Sequence, residues 1–210
     1  MLAMVVAVAA GAMARAQSGV LRDFGSVALF HIAAPLPDPL PAGGLAQVDF
    51  ANFTYVLYPT ADSWLGGGIG GQAAKGTPIR LTLQDGSVSR QGDQPGAQLI
   101  KSEMIPLPKA PGREGRLIFA VLYPAHHRNA CTGLVDLIQV VNGHLVATDQ
   151  ITYDCRGGAP IRYNKKKHRL EVASSRYSAG DDLCCPSLAD KVDFKFDGRR
   201  VKAQNIRLAQ

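Results

Sequence analysis

Residues 137–149, LIQVVNGHLVATD, set two apolar runs on either side of Asn142-Gly143. Asparagine and glycine tolerate positive φ, and the primed two-residue turns that fit the twist of paired strands require it. The stretch therefore reads as a β-hairpin with Val141 opposite His144. Three similar signals recur: IRLTLQDGSVSR around Asp85-Gly86, VDFKFDGRRVKA around Asp197-Gly198, and IRYNKKKHRLEV, turning at Asn164–Lys167. Residues 48–58, VDFANFTYVLY, are rich in aromatic and β-branched side chains and read as another strand. Residues 117–123, LIFAVLY, are apolar without alternation, the pattern of a strand buried on both faces. No long stretch carries the 3.6-residue period of an amphipathic helix. The expected fold is mainly β: antiparallel hairpins in a curved sheet, open barrel or sandwich, with little helix beyond one or two turns near residues 181–191.

The flanks bound the organisation. Leu2 to Met13 form an apolar run, followed by the small-x-small triplet Ala14-Arg15-Ala16. This is the pattern of a secretory signal peptide over residues 1–16, and the run is too short to span a bilayer. Residues 17–47 include PLPDPLPAGG at 35–44 and read as a Pro/Gly-rich N-terminal segment. Residues 48–210 are then a single β-rich domain, with no later stretch approaching the roughly 20 apolar residues of a transmembrane helix. The expected location is the periplasm or the exterior of the cell.

The four cysteines, Cys131, Cys155, Cys184 and Cys185, suit two disulfides in an exported chain, with three connectivities open. With Val141 facing His144, cross-strand partners sum to 285, whereas Cys131 and Cys155 sum to 286. A single bulge would join them. Thr132 and Gly133 argue against a strand reaching back that far. That pairing also leaves Cys184 and Cys185 to each other. Adjacent Cα atoms are about 3.8 Å apart, below the usual 4.4 to 6.8 Å of a disulfide. Adjacent residues in extended chain point to opposite sides, so the crossed connectivities, with Cys184 and Cys185 stapled to Cys131 and Cys155, are preferred.

Residues 177–187, YSAGDDLCCPS, with a hairpin after them, resemble the Y-x-x-GD-x-x-CCPS segment of the LppP/LprE-type bacterial envelope lipoproteins, on Tyr177, Gly180, Asp181, Cys184, Cys185, Pro186 and Ser187. Residues 49–55, DFANFTY, carry a second, shorter likeness. The lipidated cysteine of those proteins has no counterpart at the cleavage site. The resemblance implies an exported envelope protein and no particular activity.

The formal charge is +6, with its densest cluster in Arg162, Lys165, Lys166, Lys167, His168 and Arg169. Such a cluster is either an anionic-ligand patch or a solvated hairpin loop whose lysines discourage edge pairing, and the solvated loop is the preferred reading. It lacks the interleaved aromatics of a nucleic-acid surface, so no nucleic-acid partner is expected. His126, His127 and Cys131 offer two imidazoles and a thiolate to a metal, with no third firm ligand beside them if the thiolate is oxidised. The C-x-x-C of a thiol oxidoreductase and the G-x-S-x-G of a serine hydrolase are both missing. Gly66, Gly68 and Gly71 satisfy G-x-G-x-x-G, but Gly76 and Pro78 stand where the dinucleotide fold needs a helix. No catalytic residue and no cofactor are assigned. The expectation is a non-enzymatic exported binding or structural module, meeting an envelope protein or an anionic envelope polymer. The alternative is a periplasmic metal-handling or thiol-redox protein.

Overall fold

The computed structural model describes residues 20–57, 79–91, 96–107, 114–123, 131–158, 160–182, 185–196 and 200–210. Thirteen strands follow in chain order: β1 (Val20–Phe24), β2 (Val27–Pro35), β3 (Thr54–Leu57), β4 (Ile79–Thr82), β5 (Ser87–Val88), β6 (Gly96–Pro106), β7 (Glu114–Tyr123), β8 (Thr132–Val141), β9 (His144–Asp154), β10 (Ile161–Asn164), β11 (Arg169–Arg176), β12 (Leu188–Phe196) and β13 (Val201–Arg207). They form a seven-stranded sheet in the order β1-β2-β9-β8-β7-β6-β5, a four-stranded meander β10-β11-β12-β13, and the pair β3-β4. Among the described residues the paired strands run antiparallel, and no sheet closes into a barrel. Among the described residues no helix is long and apolar enough to cross a membrane.

The large sheet is buried on both faces. Leu29, Leu117, Phe119, Val135, Leu137 and Ile151 pack on Leu170, Val172, Val192 and Phe194 of the four-stranded sheet. From the opposite face, Phe30, Ile118, Leu134, Ile138 and Leu145 pack on Phe50, Phe53, Tyr55, Leu81 and Leu83 of the β3-β4 side. A sheet covered on both sides needs apolar residues at odd and even positions alike. This accounts for the unbroken LIFAVLY run in β7 and for the eight consecutive buried residues that open β8.

The Asn142-Gly143 turn has φ of 51° and 79°, and Val141 faces His144 as the sequence indicates. The register then slips: Ile138 faces Ala147, but Leu137 faces Asp149, leaving Thr148 as the extra residue of a β-bulge. The Gln139 amide donates to Thr148 Oγ1 at 2.9 Å, and that hydroxyl donates to the Leu137 carbonyl at 3.3 Å. The extra residue also turns β9 over: Leu145 and Ala147 face the β3-β4 side, whereas Ile151 and Tyr153 face the four-stranded sheet.

The Pro/Gly-rich N-terminal segment contributes β1 and β2 to the large sheet, where β2 pairs with β9. The apolar positions of VALFHIAAP serve both cores, a pattern masked in the sequence by the neighbouring prolines. Among the described residues of VDFANFTYVLY, only Thr54–Leu57 are strand. Before it, Asp49 accepts from the Ala51 amide at 3.0 Å and the Asn52 side chain at 2.8 Å, a local Asx turn that competes with extension. Asp85 and Gly86 do make a positive-φ two-residue turn with Gln84 and Ser87 paired across it, but beyond that pair β4 joins β3 while β5 joins β6, so the flanking runs part. In the stretch 181–191 the Cys185 amide bonds to the Asp182 carbonyl at 2.9 Å, closing one turn, Asp181 accepts from the amides of Ser178 and Ser187, and β12 starts at Leu188. The stretch Trp64–Lys75, with its glycines, lies outside the described residues.

Candidate functional site

In the four-stranded meander, alternation sends Tyr163, Leu170, Val172, Val192, Phe194 and Val201 inward. The residues between them face solvent in cross-strand rows. One row runs Asn164, Arg169, Lys195, Lys202; the next runs Arg162, Glu171, Asp193, Gln204; a third places Ala173 beside Lys191 and Arg207. The third row includes Arg207 because the β12-β13 register shifts, around Asn205 at φ 49°. The outer face is therefore rich in cations, and Glu171 and Asp193 are its only carboxylates in these rows.

Those two acids hold the face together. Glu171 accepts from Arg162 at 2.6 Å, and from Asn164 and Arg169 at 3.1 Å. The hydrogen bond from Arg162 is the main cause of its carboxyl being held down at about 2. Asp193 takes Arg169 at 3.0 Å and the Asn205 amide at 2.9 Å. Lys165 reaches Glu103 of β6 at 3.4 Å, and the His168 ring meets the Tyr163 hydroxyl at 3.5 Å. Of the six residues singled out in sequence, Arg162, Lys165 and Arg169 are thus engaged by carboxylates. Lys166 and Lys167 at the hairpin tip, like Lys191, Lys195 and Arg207 on the sheet, have no ion-pair partner among the described residues. A shallow cavity of about 400 Å³ lies on this face, lined by Arg162, Lys167, Arg169, Lys191 and Arg207 with Glu171 and Asp193.

Lys191, Lys195, Lys202 and Arg207 were not singled out in sequence. Their signal is the period of two in ADKVDFKF and RRVKA, which an inward-facing apolar set makes visible only once the register is known.

The cysteines depart from the preferred connectivity. Cys131 is bonded to Cys155, with Cα atoms 5.7 Å apart, so neither can staple Cys184 or Cys185. The Thr148 bulge supplies the one-residue shift that brings position 131 opposite 155. Gly133 does not end the strand, because the Tyr153 ring lies over it where a Cβ would otherwise stand. Cys185 is also disulfide-bonded, and Cys184 lies outside the described residues.

His126 and His127 lie outside the described residues too. Among those described, no group of three His, Cys, Asp or Glu side chains is placed to hold a metal ion. Two further interior carboxylates lie within the large sheet. Asp149 meets the His31 Nδ1 at 2.6 Å between the large sheets. Asp136, on the opposite face of β8, accepts from the Gln150 amide at 2.8 Å, and burial pushes its carboxyl up to about 7.

No family model, curated protein or solved structure matches this chain.

Proposed function

We propose that this chain is an exported, non-catalytic binding module that takes an anionic envelope polymer on the outer face of its four-stranded sheet. The observation that carries the reading is the spacing of the outward-facing cations. Neighbouring strands lie about 4.8 Å apart and alternate residues about 6.8 Å apart along a strand. Rows through Lys195 and Lys202, and through Lys191 and Arg207, therefore present repeated positive charge to a chain of repeated negative charge. Glu171 and Asp193 keep the central arginines extended across the sheet instead of collapsing onto the loop. The hairpin tip at Lys166 and Lys167 extends the same face.

Export rests on the signal-like residues 1–16, a formed Cys131–Cys155 disulfide, and the resemblance of residues 177–187 to the LppP/LprE-type envelope lipoproteins. The test is binding to long-chain polyphosphate and to isolated envelope material as salt is raised. The Debye length falls from about 30 Å at 0.01 M to about 8 Å at 0.15 M. Affinity dropping tenfold or more over that range supports the reading; affinity indifferent to salt removes it.

A further inference from the structure

On the outer face of the four-stranded sheet, charge is sorted by row. The row of Arg169, Lys195 and Lys202 holds three cations and no carboxylate, and the row of Lys191 and Arg207 holds two cations and no carboxylate. The row between them holds both acids, Glu171 and Asp193, together with Arg162 and Gln204. One arginine against two carboxylates leaves this middle row with one net negative charge. The Glu171 carboxyl is held down at about 2, chiefly by the Arg162 hydrogen bond, so the row keeps its sign through mildly acidic pH. Successive rows lie about 6.8 Å apart, which puts the two cationic rows about 14 Å from each other.

The shallow cavity on this face runs across the rows, not along one of them. Lys191 and Arg207 line it at one end, Lys167 and Arg169 at the other, and Glu171 and Asp193 between. A chain lying in it meets positive, negative and positive rows in turn. A polymer charged on every unit has to set some of its anions against the two carboxylates. A polymer whose acidic units are separated by neutral ones sets its anions on the cationic rows and a neutral unit between them. The cations sit on long, flexible stems, so the match tolerates a range of repeat lengths. Gln204, exposed at the edge of the middle row, has no side-chain partner among the described residues, and its amide can both donate to and accept from a hydroxyl.

We infer that the polymer taken here is an anionic polysaccharide in which acidic sugars alternate with neutral, hydroxyl-bearing ones. This rests on the reading of the face as a polyanion site and specifies how the charge of its ligand is spaced. From a distance the face is cationic as a whole and draws any polyanion; its rows are told apart only at contact. At 0.15 M salt the Debye length is about 8 Å, beyond one row step and short of two, so contact decides under that condition.

The experiment is calorimetric titration of the disulfide-intact protein at 0.15 M salt with two oligosaccharides of equal length: a hyaluronate oligomer, acidic on alternate sugars, and an oligogalacturonate, acidic on every sugar. The hyaluronate oligomer should bind at least fivefold more tightly although it carries half the charge. Glu171→Gln combined with Gln204→Lys turns the middle row cationic; it should tighten oligogalacturonate binding at least threefold and abolish the preference. Gln204→Lys alone, at an exposed position of the edge strand, should narrow the preference in the same direction. Oligogalacturonate binding the parent as tightly as hyaluronate, or a preference unchanged in both variants, would overturn the inference. Long-chain polyphosphate at 0.05 M salt separates the two levels of the argument. If it binds and neither oligosaccharide does, the inference falls and the polyanion reading stands; if it fails as well, both fall.

Discussion

Replacing Asp136 by asparagine should stabilise the protein, and only above mildly acidic pH. Asp136 is 1% exposed, in the interior between β8 and the β3-β4 side. Its neighbours there are the Gln150 amide, which also reaches the Val56 carbonyl at 3.3 Å, and the half of the core around Tyr55. Burial raises its carboxyl from 3.8 to about 7, the Gln150 hydrogen bond offsetting part of that rise. Between these values the folded chain holds a proton that the unfolded chain has released. Stability therefore falls as pH rises through the window from about 4 to 7. Roughly three pH units at about 1.4 kcal/mol each put the full effect on the order of 4 kcal/mol by pH 8. Asparagine keeps the oxygen that accepts from Gln150 and never ionises. Urea unfolding of parent and Asp136→Asn at pH 4, 5.5, 7 and 8 measures the difference directly, with every other titrating group common to both. The variant should match the parent near pH 4 and exceed it by several kcal/mol at pH 8. A stability difference that does not change with pH would refute the reasoning.

Three further outcomes are expected. Cys131→Ala with Cys155→Ala opens a closure of 24 residues and should lower unfolding stability by about 3 to 4 kcal/mol in the loop-entropy account, measured by denaturant titration against the oxidised parent. Gly133→Ala would place a Cβ in the Tyr153 ring and should cost about 1–3 kcal/mol, with Tyr153→Leu added in the same chain restoring most of it in thermal melts. The Glu171 carboxyl should titrate at about 2 by carbon NMR and move up toward the ordinary glutamate range in Arg162→Gln, since the Arg162 hydrogen bond is the first cause of its depression.

Much of the fold was legible because its turns carry their own chemistry. Asn142-Gly143 has the positive φ values its residue types announce, and the tip of the β10-β11 hairpin falls where the lysine run begins. What the turns do not carry is where the flanking strands go. Asp85-Gly86 looks the same as Asn142-Gly143 in sequence, yet the Leu83 amide bonds to the Phe53 carbonyl and Leu99 to the Gly86 carbonyl, drawing the two arms into different sheets. The bulge at Thr148 has no signature of its own, and with it the register of the disulfide and the face of every later residue in β9 change together. The cationic face was half visible. The run from Lys165 to His168 is conspicuous because it is contiguous, whereas Lys191, Lys195, Lys202 and Arg207 become one surface only through pairing over distances of up to 16 positions.

The central claim is that the sheet face, and not overall charge, binds the polyanion. Lys191→Glu with Arg207→Glu reverses two cations on that face, and Arg22→Glu with Arg80→Glu makes the same change in net charge at exposed positions away from it. Affinity for long-chain polyphosphate and for isolated envelope material, measured for both variants at 0.05 M salt, separates the two possibilities. A loss of tenfold or more in the first variant with the second close to the parent is the predicted result. Equal losses in both, or none in the first, would contradict it.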